Sequence, residues 1–520
     1  MPFIISLIFL VGMAMGFGLN YKINGGDFFS KNKGSALQEI SNLIQLKYVD
    51  PIAVDSLNDF AIEELLAHID PHSVYISPNE LQSVNNEMEG QFVGIGIQYD
   101  FIDDTLNILN IIENGPAKKA GLLIGDKILS VNDTLSLVGK KFKSIDVKDF
   151  LRGDEGSELK VNILRDNTLK TVQLKRSSIP ITSIDVAYML EKNIGYIRIN
   201  KFGERTYEEF MQRLETLQKQ KIKKLIIDLR NNGGGYMHAA TAIADEFLDG
   251  DKLIVYTQGN KSKRTEIRCK KEGLYEKGEL EILVDENTAS ASEVLTGALQ
   301  DWDRATVIGR RTFGKGLVQQ QYNLSNGGAL RLTVARYYTP LGRNIQKSYQ
   351  NGKKEYQNEI EERYIDGEML DKDSILTNGK SYKTPKGKMV YGGGGIIPDV
   401  FVPIDTTNFE SLHDFSFNKI LEKFVYTYYL NHKLILKQYK SIEEFTNQFF
   451  FSNNDWKNFE LMLSKDTSVS VSLNHSLKEK VEKNCKIYLS RVLFNNEAFF
   501  KTQNKYDTLI QIAVKDLNKN

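Results

Sequence analysis

A hydroxyl nucleophile needs a base, and two residues twenty-five positions apart could form that pair. They are Ser290, in Thr288-Ala289-Ser290-Ala291-Ser292-Glu293, and Lys315, in Thr312-Phe313-Gly314-Lys315-Gly316. Ahead of the serine, Leu280, Ile282, Leu283 and Val284 make a short apolar run that predicts a strand. Beyond it, Val294, Leu295, Ala298 and Leu299 recur at helical spacing, which predicts a helix from near Ser290 to about Trp302. A serine at such a turn is lifted clear of the sheet, and the unpaired amides of the helix N-terminus face an oxyanion formed beside it. Ala289 and Ala291 are small enough to admit a substrate backbone. The plain alternative is that Thr288, Ser290 and Ser292 only cap the helix.

Lys315 follows a second apolar run, Thr306, Val307 and Ile308, that reads as another strand. A lysine between glycines is ordinarily a solvated loop cation. To act as a base it must be neutral, which requires burial near apolar groups and other positive charge. Moving its pKa from about 10.4 to about 7 or 8 is a bias of roughly 3 to 5 kcal/mol, at about 1.36 kcal/mol per unit.

A third piece completes the set. The buried strand Leu225 to Leu229 ends in Arg230-Asn231-Asn232-Gly233-Gly234-Gly235. No Gly-Lys-Ser/Thr follows and no dinucleotide spacing fits, so a phosphate cradle is a poor reading. Exposed backbone amides suit an oxyanion hole, with Gly234 and Gly235 paired to the amide of Ala291. His238 is a rival base, since Ser-His pairs are common, although it stands at an expected helix start. His72, just after Pro71, reads as a capping or packing residue. Glu293 and Arg230 read as structural ion-pair partners.

Together these residues resemble the carboxy-terminal processing peptidases, or tail-specific proteases, which have Ser-Ala-Ser-Glu and Phe-Gly-Lys-Gly motifs at this separation. The resemblance implies Ser290 as nucleophile, Lys315 as base and Gln319, in Gly-Leu-Val-Gln, as the polar residue that helps hold the lysine amine. It implies no metal and no cofactor. The family commonly has proline where Gly233 stands. Asp70-Pro71-His72-Ser73 and Tyr337-Tyr338-Thr339-Pro340-Leu341-Gly342-Arg343 extend the match.

Upstream, Gly94-Ile95-Gly96-Ile97, an alternating run (Leu106, Ile108, Asn110), Gly115-Pro116-Ala117 and Gly125-Asp126 resemble a PDZ domain. Such a domain adds a ligand as a strand to its sheet edge, while a glycine-flanked loop turns backbone amides towards the terminal carboxylate. That loop is expected at Gly94, Ile95, Gly96 and Ile97. A small β-barrel without a ligand is the plain alternative. In the family an arginine equivalent to Arg152 faces the protease core, which makes Arg152 the candidate for coupling tail binding to activity.

At 520 residues the chain exceeds one core, and its formal net charge of zero argues against a nucleic-acid binder. Cys269 and Cys485 match no metal spacing and are either free thiols or one disulfide. Residues 1–21 carry no charged side chain, and Phe3 to Leu19 could extend about 26 Å as a helix. We read them as an uncleaved membrane anchor rather than a cleaved signal, since Ala14-Met15-Gly16 is a poor cleavage site. No Lys or Arg precedes the segment while Lys22, Lys31 and Lys33 follow it, so the positive-inside rule points to a cytoplasmic body. The resemblance implies instead an exported enzyme on the periplasmic side of the inner membrane, and the expectation follows the resemblance.

The expected architecture is multidomain α/β. It comprises the segment 1–21, a helical N-terminal domain at 34–89 and a PDZ β-barrel at 90–176. A crotonase/Clp-like α/β protease core follows at 178–345 plus 392–404, then a helical C-terminal domain at 405–520. Residues 346–391, charged and polar, read as a surface excursion, and the lysine-rich stretch from Lys261 to Lys277 as a solvated hairpin. Aromatic stripes beyond Thr406 read as core or dimer contacts. The expected activity is a serine endopeptidase that captures exposed C-terminal tails of protein substrates, possible as a homo-oligomer and without nucleic acid. Alternatives are a non-catalytic PDZ scaffold for C-termini and a crotonase-type acyl-CoA enzyme.

Overall fold

The computed structural model describes residues 36–133, 135–138, 144–375, 379–406, 415–465 and 473–519. The anchor expected within residues 1–21 lies outside them. No helix among the described residues is long and apolar enough to cross a membrane.

The chain divides between Ile69 and Asp70 into two compact units. The first holds helices α1 (Ala36–Lys47) and α2 (Val54–Ala67), joined by a hydrogen bond from Ser41 Oγ to Asn58 Oδ1 at 2.9 Å. The second begins with strand β1 (Val74–Ile76), helix α3 (Pro78–Glu89) and strand β2 (Gln91–Gly94), so α3 groups with the remaining chain and not with the first two helices. Helix α3 starts on Pro78, whose missing N–H costs nothing there, and stops at Gly90 in the left-handed region (φ 79°).

Next come strands β3 (Ile97–Ile102), β4 (Thr105–Ile111) and β5 (Lys127–Val131), helix α4 (Ser144–Leu151), and strands β6 (Glu158–Arg165), β7 (Thr168–Lys175) and β8 (Ser177–Pro180). The sheet order is β3-β4-β5-β6-β7, with β3 at an edge, while β2 pairs with β8. Leu106, Ile108, Ile128, Val161 and Ile163 fill one core. Asn107 is buried with them because its side-chain amide donates to the carbonyls of Ile102 (3.1 Å) and Thr105 (2.7 Å).

The largest layer is a six-stranded sheet, built from β9 (Ile184–Glu191), β10 (Ile194–Ile199), β11 (Lys224–Asp228), β14 (Glu279–Val284), β15 (Thr306–Gly309) and β20 (Val400–Phe401), in that order. All its neighbours are parallel except β9 with β10. Helices α5 (Thr206–Lys219), α6 (Met237–Asp245) and α7 (Ala291–Asp301) cover one face. Between α6 and β14, strands β12 (Leu253–Gln258) and β13 (Thr265–Arg268) enter a second sheet with β16 (Leu317–Asn323) and β17 (Ala329–Tyr338); β1 and β16 both pair with β17. The lysine-rich stretch therefore contributes an edge strand and is not a free hairpin: Lys271 is also bonded to Glu246, which is 1% exposed.

Residues 346–391 contain helix α8 (Lys353–Ile365) and the hairpin β18 (Ser381–Lys383) and β19 (Met389–Tyr391). Helices α9 (Phe415–Leu436), α10 (Ile442–Gln448), α11 (Asn453–Lys465), α12 (His475–Leu493), α13 (Asn496–Tyr506) and α14 (Thr508–Leu517) complete the chain. Phe417, Phe424, Phe445, Phe449 and Phe459 make their own core. The last two helices do more: Phe500, Leu509, Ile510, Ala513 and Leu517 lie on the second face of the large sheet, against Tyr196, Ile226, Leu283 and Ile308. Strand periodicity explains the sandwich, since Leu225 and Ile227 point into the opposite core, with α5, α6 and α7. Cys269 and Cys485 are free and buried in separate cores, so the disulfide alternative drops out.

Candidate active site

The three chemical segments leave the carboxyl ends of adjacent parallel strands, β11, β14 and β15, where open α/β sheets collect their functional loops. Asp285, just after β14, ties two of them together. Its carboxylate accepts the Asn231 N–H at 3.0 Å and the Thr288 hydroxyl at 3.1 Å. Asn232 O accepts from Ala289 N–H at 3.0 Å and from Ser292 Oγ at 2.9 Å. Ser292, the second serine of the motif, is thus spent on holding the glycine loop.

Ser290 itself sits at φ 57° and ψ −116°, a conformation that costs a non-glycine residue about 1–3 kcal/mol. Its backbone is pinned there: N–H donates to Glu293 Oε2 at 2.8 Å, and C=O accepts from Val294 N–H at 2.9 Å and Tyr337 Oη at 3.1 Å. Gly234 explains the remaining constraint. A Cβ at that position would lie 2.7 Å from Ser290 Cβ and 2.9 Å from the Ala291 nitrogen, so only glycine brings the loop this close to Ser290.

The amides differ from expectation. Ala291 opens α7, so its N–H has no partner within the helix. The Gly234 N–H, expected as an oxyanion donor, instead donates to Asn232 Oδ1 at 2.9 Å. Among the described residues no hydrogen bond takes up the amides of Gly233 or Gly235, which flank it. Gly235 keeps its place as a candidate donor, Gly233 joins it, and Gly234 serves by its lack of a side chain.

Glu293 joins the Ser290 and Lys315 segments. It is fully buried, yet no cation pairs with it, contrary to the ion-pair expectation. Its Oε2 accepts from Ser290 N–H and, at 2.9 Å, from Lys315 N–H; its Oε1 accepts from Thr312 Oγ1 at 2.6 Å and Gly314 N–H at 2.7 Å. The Ser290 and Lys315 backbones are therefore less than two hydrogen-bond lengths apart. Arg230, by contrast, is the expected ion-pair residue, bonded to Asp228 at 2.6 Å and Asp507 at 2.7 Å.

Lys315 is half-buried. Burial first, and the charge of Arg331 second, pull its amine below the ordinary lysine value; Glu293 and Asp70 pull it the other way. Gln319 does not hold that amine: its side-chain amide donates to Thr333 Oγ1 at 3.4 Å, and Thr333 Oγ1 donates to Asp70 Oδ1 at 3.1 Å. Burial and the nearby Lys315 charge lower His72 to about 4, and its Nε2 lies 2.7 Å from Tyr356 Oη, so it is a neutral packing residue. His238 is exposed beside Glu204 at 3.7 Å, away from this network.

The segment 346–391 is not a surface excursion. From α8, Arg363 donates to the carbonyls of Arg311 (3.1 Å), Thr312 (2.9 Å) and Phe313 (3.2 Å), the three residues that lead into Gly314 and Lys315. Glu359 accepts from Arg363 at 2.6 Å and from Lys347 at 2.9 Å, and Arg311 reaches Glu368 at 2.6 Å. Charged composition suggested solvent, but these charges pair with one another against the Lys315 loop. The glycines after β19 belong to the same packing: a Cβ on Gly395 would meet Thr312 O at 2.4 Å.

In the small β-sheet domain, Gly94, Ile95, Gly96 and Ile97 form the expected loop between β2 and β3, with Gly96 at φ 78°. Its carbonyls are committed, Gly96 O accepting from Ile112 N–H at 2.9 Å and Ile95 O from Ala117 N–H at 2.8 Å. Arg152 does not reach the protease core: it donates to Ser83 Oγ on α3 at 3.2 Å and lies 5.2 Å from the Phe92 ring centroid.

Comparison with known proteins fits this layout. Residues 93–175 match the model of the PDZ domain, and residues 193–354 match that of peptidase family S41. A "Probable CtpA-like serine protease" of Staphylococcus aureus (strain bovine RF122 / ET3-1) is 34% identical over 331 residues, 63% of this chain and 65% of the relative. The protein of the same description in Staphylococcus haemolyticus (strain JCSC1435) is 33% identical over 339 residues, 64% of this chain and 67% of that one. This chain thus spans about 65% of the length of the first of these relatives. Among solved structures, the photosystem II D1 C-terminal processing protease is 26% identical with a TM-score of 0.37, covering 72% of this chain and 88% of its own. The chain belongs to peptidase family S41, with a PDZ domain ahead of its peptidase domain.

Proposed function

We propose that the protein is a serine endopeptidase that captures the C-terminal tails of protein substrates in its PDZ domain and cleaves them through a Ser290–Lys315 pair. One observation carries the reading: a single buried carboxylate, Glu293, holds the backbones of both residues, while burial and Arg331 push the Lys315 amine towards its neutral form. In this mechanism the neutral Lys315 amine removes the Ser290 proton as Oγ attacks the scissile carbonyl. The oxyanion is met by the Ala291 amide and by Gly233 or Gly235. The lysine then returns the proton to the leaving amine, and water attacks the acyl-enzyme by the reverse sequence.

The tail enters as a strand along β3, with its carboxylate at the Gly94 to Ile97 loop. The apolar segment Phe3 to Leu19 supports export and anchoring of the enzyme on the periplasmic side of the inner membrane. The scaffold alternative has no use for a half-buried lysine pushed towards neutrality.

The test compares protein lacking residues 1–24 with its Ser290→Ala and Lys315→Ala variants on an unfolded reporter with an apolar C-terminal tail. Cleavage by the unaltered enzyme alone, with tail binding intact in all three, is the expected result. Normal turnover by Lys315→Ala would overturn the assigned base, and equal binding with no cleavage by any of them would favour the scaffold.

A further inference from the structure

A cleft of about 1240 Å³ in the second unit does not lie at Ser290. One wall is the edge strand β3, from Ile97 to Asp103, and the other is the C-terminal helical region, with residues of α9, α11 and α12. Helix α9 is fixed to the PDZ sheet beside it. Lys423 pairs with Asp103 at 2.6 Å, Tyr426 Oη donates to Asn107 Oδ1 at 3.3 Å, and Leu430 packs on Gly125. The cleft therefore runs along the same strand that a tail would extend, and its volume exceeds the roughly 300–1,000 Å³ of a small-molecule pocket.

Direction follows from the loop. Strand β3 leads away from Gly94 to Ile97, so a tail whose carboxylate sits at that loop runs antiparallel to β3, with its upstream residues beside Phe101 to Asp103. There it meets the helical wall. That wall presents Lys419, Lys423, Lys465 and Arg491 with one carboxyl, Glu422, which burial and Asp100 push towards its neutral form, while the strand side of the cleft carries Asp100 and Asp103, the latter paired with Lys423. The Arg491 guanidinium stacks 3.6 Å from the Phe499 ring centroid, and its Nε is buried without a hydrogen-bond partner. A guanidinium that lines the cleft with one N–H lacking an acceptor suits an incoming carboxylate.

Building on the tail-capture reading, we propose that helices α9 and α12 form the outer wall of the tail cleft, and that Arg491 selects substrates with an acidic residue a few positions upstream of the C-terminus. The acidic side chain pairs with the Arg491 guanidinium where it lines the cleft, and the bundle becomes part of substrate selection.

The test uses the full chain carrying Ser290→Ala, so that bound tails survive. Fluorescein-labelled unstructured peptides with a common apolar C-terminus carry either glutamate or lysine upstream, and binding is read by anisotropy. The glutamate tail should bind about tenfold more tightly, the scale of one charge-assisted hydrogen bond. Arg491→Gln should remove most of that difference while changing the affinity of a neutral tail by less than about twofold. A photo-reactive group at the upstream position, used with Arg491 intact, should attach to α9 or α12. Equal binding of both tails, no response to Arg491→Gln, or attachment confined to the PDZ sheet would each overturn the proposed wall and leave tail capture standing. Failure to bind any tail would remove the parent reading and this one with it.

Discussion

Replacing Glu293 with glutamine separates the proposed mechanism from a merely structural role for this residue. The carboxylate accepts four hydrogen bonds with two oxygens: Ser290 and Lys315 N–H on one, Thr312 Oγ1 and Gly314 N–H on the other. Glutamine keeps the shape but has a single acceptor oxygen. In its best orientation that oxygen serves Ser290 and Lys315, and the amide –NH₂ faces Thr312, whose hydroxyl can turn to accept, and Gly314 N–H, which cannot. One orphaned buried N–H costs about 1–3 kcal/mol, and losing charge assistance in the other bonds about 1 kcal/mol more. The domain should be destabilised by about 2–4 kcal/mol, and loosening of the loop on the scale of 1 Å should lower kcat about 10²-fold. The pH profile makes the case specific. Glu293 favours the protonated form of Lys315, so its neutralisation lowers the lysine pKa further. A base works above its pKa, and the rising limb of kcat/KM should therefore move to lower pH even as the rate falls. Rates of reporter cleavage across pH, with thermal unfolding alongside, measure both effects. A limb that stays in place, or moves to higher pH, would refute the electrostatic coupling of Glu293 to Lys315.

Three further outcomes are expected. Arg363→Met removes three donors from the Lys315 loop and should cost about 3 kcal/mol of stability and more than about tenfold in kcat, with tail affinity unchanged; calorimetry, turnover and anisotropy read the three quantities. Gly234→Ala forces a Cβ to within 2.7 Å of Ser290 Cβ at φ 97°, and should lower labelling of Ser290 by a fluorophosphonate at least about 10²-fold. Glu281, 2% exposed on β14, is raised to about 9 by burial, then by Asp516 and Glu279. The folded state thus binds a proton that the unfolded state releases near its ordinary value, and stability falls as pH rises towards 9, by up to about 1.36 kcal/mol per unit. Glu281→Gln should flatten that decline, which urea midpoints across the range would show.

Much of this was legible because the relevant signals are local. The change of period at Ser290 placed the strand and helix around it. The apolar run from Leu225 to Leu229 also placed the glycine loop at the end of a strand. What escaped was set by tertiary partners. Glu293 reads as an ion-pair residue because buried carboxylates usually meet cations, and only the fold shows its lone pairs filled by backbone amides. Gly234 was assigned a donor's role from its position in a glycine run, yet the neighbouring Asn232 side chain takes its N–H. Gln319 was placed by family resemblance alone, and its own strand directs it to Thr333. The segment 346–391 looked solvated since composition reports charge without reporting who neutralises it. Arg363 and Glu359 did carry a faint signal in their spacing, one helical turn apart on α8.

The two helices that roof the second face of the large sheet bear on how the molecule comes to exist. Ser290 and Lys315 are synthesised some two hundred residues before Asp507 and Ile510, which brace Arg230 and cover Ile226 and Leu283. A nascent chain therefore carries Ser290 and Lys315 long before the sheet beneath them is sealed. The second face of that sheet stays open until the last residues of the chain are made, so the proposed active site is completed only at the end of synthesis.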